Sequence, residues 1–414
     1  MSASGRVMKL SGKLLADGSP ATVIIEGDRI SSVAHGMDRE ALGGPDIWIA
    51  PGFHDLQVNG YGGRDFNAGS WGLADAAGDP GEELAALQRD LARHGTCLFC
   101  PTVVTDTVTQ MASSLRRIAG AVQQDARLRW AVTGIHIEGP FLSPEDGPRG
   151  AHPLEHVQLP SRDLFLRFQD AAHGLIRICT LAPELPGALA LIEFLVQNRV
   201  VAAIGHTGAS AAVIRDAVLA GATVSTHIGN GCHARIPRHD SYIWEQLACD
   251  RLIATMIIDG HHIEPSEARV MVRAKGPQRT ALISDAVKLG GMPPGTYADG
   301  RFEVKPDGSV VLARTPYLAG ASALLDTCIA NAWRWTDMDL AQAVACATEV
   351  PARVLGLASK GRIAAGCDAD LTLFRVGSEG PLEIVATIVR GERSDLSDPM
   401  KGPPQCQPGP SASH

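Results

Sequence analysis

Between residues 51 and 287, short apolar runs rich in Val, Ile, Leu and Thr alternate with stretches whose apolar residues recur at helical spacing. This is the pattern of a parallel sheet whose strands are joined by crossover helices. Strands are predicted in "PGFHDLQVNG" (51–60), "GTCLFCPTVV" (95–104), "WAVTGIHIEG" (130–139) and "IRICTLAPE" (176–184). Four more follow in "VVAAIGHTG" (200–208), "ATVSTHIGN" (222–230), "LIATMIIDGHH" (252–262) and "TALISDAV" (280–287). Amphipathic helices are predicted between them, in "GEELAALQRDLARHG", "PGALALIEFLVQN", "ASAAVIRDAVLAG" and "EPSEARVMVRAK". Parallel units of this number, closing on themselves, predict an α/β fold of the (β/α)8 TIM-barrel type.

Both ends of the chain read differently. Short strands with turn signals at "ADGS" and "EGDR" occur before residue 50, and "GRIAAGCDADLTLFRV" and "LEIVATIVRGER" repeat the pattern after 361. Residues 1–50 and 361–395 are therefore expected to pair into one small β-sandwich domain beside a barrel spanning 51–360. Residues 288–318 interrupt the last barrel unit, and "RFEVKPDGSVVL" within them is a hairpin signal around Pro306, Asp307 and Gly308. The low-complexity stretch 396–414 is expected to be disordered.

One feature breaks the apolar pattern. In "GIHIEGPF" the run Trp130, Val132, Ile135 and Ile137 suits a strand covered on both faces, yet it ends in Glu138. A buried carboxylate is costly without a partner, which a metal ion, an active site or a salt bridge would supply. Glu138, Glu184, His206, His227, His262 and Asp285 all fall at the C-terminal ends of predicted barrel strands, the catalytic face of this fold. Each alone could be a satisfied structural residue; six on one rim point to a site. Glu138, His206 and His227 make a sufficient ligand set for a divalent ion that keeps a position open for water. Hydrolysis would also need a carboxylate to take and return a proton, and Asp285 in "LISDAV" is the candidate, with a helix N-cap as the structural alternative.

Composition narrows the partners. A formal charge of -8 leaves no basic stripe for nucleic acid. No apolar run is long enough to span a bilayer, and the first residues lack the apolar core of a secretory signal, so a cytoplasmic location is expected. The nine cysteines are odd in number, scattered and mostly within apolar runs, which reads as reduced core cysteine. "CLFC" (97–100) has metal-site spacing, but on a strand its two thiols point to opposite faces.

These residues and their surroundings resemble the amidohydrolase superfamily, and within it the N-acetylglucosamine-6-phosphate deacetylases. The resemblance runs through "PGFHDLQVNGYGG", "HIEGPF", "RGAHP", "LAPE", "GHTGAS", "THIGNG", "DGHH", "SDAV", "LAGASALLD" and "GRIAAGCDADLTLF", nearly the whole chain. It implies Glu138, His206 and His227 as ligands of one divalent ion, zinc or else iron, cobalt or manganese, and Asp285 as the acid/base. It implies that His152 polarises the acetamide carbonyl, and that Ala151, Asn230, Gly231, Arg238, Asp259, His262, Leu318, Ala319 and Gly320 contact the substrate. The family arginine, here Arg238, comes from a neighbouring subunit, which implies a homodimer. The implied reaction removes acetyl from N-acetyl-D-glucosamine 6-phosphate, with no cofactor beyond the metal.

The chain also departs from the family. Members with two metals carry H-x-H at the end of the first strand, where Gln57 and Asn59 stand here; amides are poor ligands, so one metal is expected. His54 is expected in a core or supporting position. The family segment "HLFNAM" becomes "HIGNGCHARIPRHD". Arg235, Arg238, His233 and His239 there would form a recast phosphate pocket, or the loop serves another acidic group or a subunit surface. Arg149 is the cation left before "GAH". Trp244 is expected in the core, or else as an interface anchor. The alternatives are a deacetylase of another N-acetyl sugar or N-acyl amino acid lacking the 6-phosphate, and a non-catalytic amino-sugar sensor.

Overall fold

The computed structural model describes residues 7–67, 79–315 and 317–394. The expected disordered tail lies outside the described residues.

The chain begins with β1 (Val7–Leu14), β2 (Pro20–Glu26), β3 (Arg29–His35) and β4 (Leu42–Pro51), and enters the barrel with β5 (Phe53–Val58). A small hairpin of β6 (Gly60–Tyr61) and β7 (Arg64–Asp65) follows. The barrel continues through β8 (Thr96–Val104), β9 (Ile135–Glu138), β10 (Ile176–Leu181) and β11 (Val201–Ile204). It ends with β12 (Val224–Ser225), β13 (Ile253–Met256) and β14 (Thr280–Leu282). Hydrogen bonding runs in the order β14-β13-β12-β11-β10-β9-β8-β5, every neighbour parallel. The ring closes just beyond the last strand, where Val58 pairs in parallel with Ala286 and the Asp285 N–H donates to the Gln57 carbonyl at 3.0 Å.

All nine residues of β8 are buried, because one face lines the barrel interior and the other lies under helices. Leu56, Cys100, Ile178, Ala203, Val224 and Ile283 belong to the interior cluster. Helices covering the outside begin at side-chain caps: Asp79, Ser161 and Ser210 each accept a backbone N–H of the following first turn.

Near the end of the barrel β15 (Gly295–Tyr297), β16 (Phe302–Val304) and β17 (Val310–Leu312) form an antiparallel sheet of their own. After the last helices come β18 (Leu371–Arg375), β19 (Glu383–Val389) and β20 (Glu392–Arg393). These join the N-terminal strands in one seven-stranded sheet, ordered β20-β19-β18-β4-β1-β2-β3. Leu10, Ile25, Ile49, Leu371 and Ile388, drawn from both chain ends, share one apolar cluster beneath it. Among the described residues no helix is long and apolar enough to cross a membrane.

Several expectations need correction. Trp130 is not in a strand: Ala126–Ala131 is a short helix capped by Asp125, and β9 starts only at Ile135. The Trp130 indole N–H donates to Asp370 at 2.7 Å, and its ring lies 4.2 Å from the Lys360 ammonium, so it serves the seam with the β domain. The segment 222–230 keeps only two strand residues, because the chain turns out of the sheet after Ser225. Trp244 is 54% exposed and outside the core; Tyr242, Ile243, Gln246 and Leu247 supply the buried face of its helix.

Candidate active site

The polar residues sit where apolar strands end, and the backbone there is bent in a particular way. His206, His227 and Asp285, following β11, β12 and β14, have φ values of 51°, 29° and 53°. Left-handed backbone is unfavourable for residues with a Cβ and persists where the surroundings enforce it, typically at functional sites. Here it swings each side chain over the C-terminal mouth of the barrel.

Glu138 ends β9 in a buried position, and His227 Nε2 lies 2.9 Å and His206 Nε2 3.3 Å from its Oε1. One ligand atom from each of the three lies within 4.8 Å of the others. The His206 ring is oriented from behind: its Nδ1 is 2.9 Å from the Pro148 carbonyl, which can only accept, so Nδ1 donates to it and Nε2 is the nitrogen turned inward, toward Glu138. The Nδ1 of His227 is buried with no hydrogen-bond partner. Burial works against ionisation of Glu138, but hydrogen bonds from His206 and His227 and their charge overcome it, holding the carboxyl well below its usual range. An anionic oxygen and two imidazoles converging in a buried place are the donor set for a divalent ion. Among the described residues this is the group that could hold one, and Cys97 and Cys100, both buried in β8, take no part in it.

Asp285 is held from several sides. Its Oδ1 accepts from Asn59 Nδ2 at 2.7 Å and from Gln57 Nε2 at 3.0 Å, while the same Gln57 nitrogen donates to Glu138 Oε1 at 2.8 Å. The Asp285 carbonyl accepts from Ala321 N–H at 2.9 Å. Burial raises its pKa to about 6, helped by the nearby Glu138 charge and opposed by His227, His262 and Asn59. Such a carboxyl is suited to exchange a proton near neutral pH.

His152 lies beside this group, its Nε2 3.8 Å from Glu138 Oε2 and its ring edge-on to His206 at 4.5 Å. Burial, then the His206 charge, brings its pKa down to about 3, so the imidazole is neutral and can donate a hydrogen bond. Arg149 does not face the pocket; its guanidinium donates to the His152 carbonyl at 2.9 Å and braces that loop.

The same pocket is lined by Ala151, Asn230, Gly231 and His262, and by Leu318, Ala319 and Gly320. Gly231 has φ +55°, and a Cβ there would stand 2.7 Å from His206 Nδ1, so close approach to the His206 ring requires glycine. Asp259 lies behind His262, with Oδ2 2.8 Å from its Nδ1. Arg238 is exposed and outside the pocket of its own chain, as are Arg235 and His239. His233 is pinned at the rim by Glu145 at 2.9 Å and Tyr242 at 3.0 Å. Glu184 binds the turn after His206, accepting from Thr207 Oγ1 at 2.5 Å and from Gly208 N–H at 2.8 Å. His54 is a supporting core residue, with Nε2 2.7 Å from Thr133 Oγ1.

Sequence reasoning missed part of the wall. Leu289, Phe302, Val310 and Tyr317, from the inserted sheet and its flanks, line the pocket, as do Asp65, Asn67 and Lys288. The signal for the first group was present: a hairpin with apolar Phe302, Val304 and Val310 on one face must cover something. Among the described residues Lys288 is the lysine or arginine that lines the pocket.

A sequence model of the amidohydrolase family matches residues 48–393. N-acetylglucosamine-6-phosphate deacetylase of Bos taurus is 35% identical over 356 residues, covering 83% of this chain and 82% of its own. N-acetylgalactosamine-6-phosphate deacetylase of Escherichia coli O157:H7 is 32% identical over 75% of this chain and 78% of its own. Among solved structures, a mutant N-acetyl-D-glucosamine-6-phosphate deacetylase of Mycobacterium smegmatis, in complex with N-acetyl-D-glucosamine-6-phosphate, superposes with a TM-score of 0.82 at 30% identity. It covers 94% of this chain and 100% of that one. With most of its length matched in sequence and in fold, the chain belongs to the amidohydrolase family, and within it to the N-acetylglucosamine-6-phosphate deacetylases.

Proposed function

We propose that the protein hydrolyses the acetamide of N-acetyl-D-glucosamine 6-phosphate, releasing acetate and glucosamine 6-phosphate. The observation that carries this reading is Asp285, a buried proton-exchanging carboxyl, tied through the single nitrogen of Gln57 to Glu138 in the Glu138, His206 and His227 cluster. Those three residues would hold one divalent ion, zinc or else iron, cobalt or manganese. Once bound, the ion supplies Lewis acidity, which acidifies water and polarises a carbonyl.

The remaining work falls to side chains. Asp285 removes a proton from the attacking water as its oxygen bonds to the acetamide carbon. His152, neutral and beside Glu138, donates a hydrogen bond to the carbonyl oxygen as it gains negative charge. Asp285 then returns the proton to the nitrogen as the C–N bond breaks, so the sugar leaves as an amine and the acyl group as acetate. Ala151, Asn230, Gly231, His262 and Leu318 to Gly320 surround the sugar in this reading, with Asp259 orienting His262. Arg238 reaches the phosphate in the pocket of a second copy, making the working unit a homodimer.

The test is acetate release by metal-loaded protein. Asp285→Asn is expected to keep its metal and lose about 10³-fold in kcat; full turnover by that variant would remove Asp285 from the role.

One observation favours a second reading, an N-acetyl sugar or N-acyl amino acid without the 6-phosphate: Arg235 and Arg238 are exposed and away from the pocket of their own chain. The ratio of kcat/KM for the phosphorylated over the plain sugar separates the two. A ratio above about 100 corresponds to roughly 3 kcal/mol of transition-state discrimination and supports phosphate recognition; a ratio near one supports the alternative.

A further inference from the structure

Gln57 and Asn59 occupy alternate positions where β5 runs out into the mouth, and both are buried. Their side chains do not point at one another. Both amide nitrogens are aimed at the same atom, Asp285 Oδ1, at 3.0 Å and 2.7 Å. The Gln57 nitrogen has two hydrogens and a second acceptor, Glu138 Oε1 at 2.8 Å, so both of its N–H bonds are committed. On Asn59 the commitment leaves an orphan: with Nδ2 turned to Asp285, its Oδ1 is buried without any partner. An unsatisfied buried acceptor is uncommon in a native structure and calls for an explanation.

We propose that Gln57 and Asn59 are positioning residues that clamp Asp285 through one carboxylate oxygen, leaving the other, Oδ2, to exchange the proton with water and amine. This rests on the hydrolytic role proposed for Asp285. Two donors converging on Oδ1 resist rotation of the carboxyl group, because a flip would break both hydrogen bonds at once. The backbone adds to the hold: Asp285 N–H donates to the Gln57 carbonyl, and Asn59 N–H donates to the Ala286 carbonyl at 2.8 Å. Gln57 has a further duty. Its nitrogen lies between the carboxylates of Glu138 and Asp285 and offers each a proton, so two like charges can be held close. The orphaned Asn59 oxygen is then the cost of aiming an amide at an acceptor, accepted because a carboxylate can receive hydrogen bonds only from donors.

The test compares Asn59→Leu and Gln57→Leu with wild type on N-acetylglucosamine 6-phosphate, plain N-acetylglucosamine and N-acetylgalactosamine 6-phosphate. Leucine keeps the approximate shape of each amide and removes the donors. For Asn59→Leu the orphan oxygen disappears as well, which offsets the lost hydrogen bond. The expected result is a kcat lower by about 10²-fold, the scale of a small misplacement of a reacting group, with KM within about threefold of wild type. Bound metal should stay the same in Asn59→Leu, and its Tm should lie within about 3 °C of wild type. A raised KM with kcat retained would make Asn59 a substrate contact and overturn the proposal. So would a parallel loss of Tm and activity, which marks a merely structural role. If wild type turns over none of the three sugars, the hydrolase reading fails, and the clamp falls with it. That outcome is distinct from an active wild type whose leucine variants are equally active.

Discussion

His206 and His227 meet edge to face, with ring planes at 89° and their Nε2 atoms 3.1 Å apart. The Nδ1 of His206 is committed to the Pro148 carbonyl, so its Nε2 is the nitrogen aimed at the site. A divalent cation among the two rings and Glu138 would take all three as ligands at once. Chelation should therefore abolish activity and lower Tm by about 5 °C or more, and re-addition of a divalent ion should restore both. Elemental analysis should give about one ion per chain, as expected where amides replace the first-strand imidazoles. Two ions per chain would contradict the ligand count.

Glu184 touches neither the pocket nor the proposed ligands, yet it fixes the turn that follows His206 through Thr207 and Gly208. Glu184→Ala should weaken metal affinity by about 10- to 100-fold, the usual effect of losing an outer support of a ligand. Competition with a fluorescent chelator would measure it. Unchanged affinity would show that the left-handed backbone at His206 is held by packing alone.

The inserted sheet places Phe302 and Val310 against the pocket. Phe302 is almost fully buried, in a small cluster separate from the barrel core. Phe302→Ala should raise KM by about tenfold or more through loss of wall packing. The main thermal transition, which reports the barrel, should move little, because the insertion can loosen locally. A large fall in Tm would mean that the insertion and barrel unfold together.

His94 lies 2.7 Å from Asp326 at the end of the helix Pro80–Arg93. Burial alone would depress its pKa, but the hydrogen bond and charge of Asp326 outweigh that and leave it raised. An unfolded histidine titrates at about 6.5, so the pair stabilises the fold fully below that pH, and its contribution is lost as pH rises through the folded value. The Tm gap between wild type and His94→Gln should be largest near pH 6 and shrink by about pH 9. A gap that does not vary with pH would show that this histidine does not titrate differently on folding.

Much of the site was legible because burial makes polar residues conspicuous. Glu138, His206, His227 and Asp285 each interrupt or end an apolar run, and a barrel brings such strand ends together wherever they lie in sequence. Local pattern failed where a distant partner decided the outcome. Trp130 opens a strand-like run, yet Asp125 caps a helix there and Asp370, far along the chain, takes its N–H. Trp244 looks like a core aromatic in composition and lies on the outer side of its helix. Nothing in the letters of "DLQVNG" reveals that both amides aim at one oxygen of Asp285, since that depends on how the first and last barrel strands meet. Nor does the cationic loop disclose that Arg235 and Arg238 stay outside the pocket.

The place where they meet has a consequence for assembly of the molecule. Gln57 and Asp285 are 228 residues apart in sequence and touch only where the ring is completed. A chain with seven strands in place could already present Glu138, His206 and His227 to an ion, but Asp285, the proposed proton carrier, would have no seat. Metal uptake and turnover should therefore appear at different moments during refolding: the ion reports that the middle of the ring has formed, and the first acetate released marks the instant at which the circle is whole.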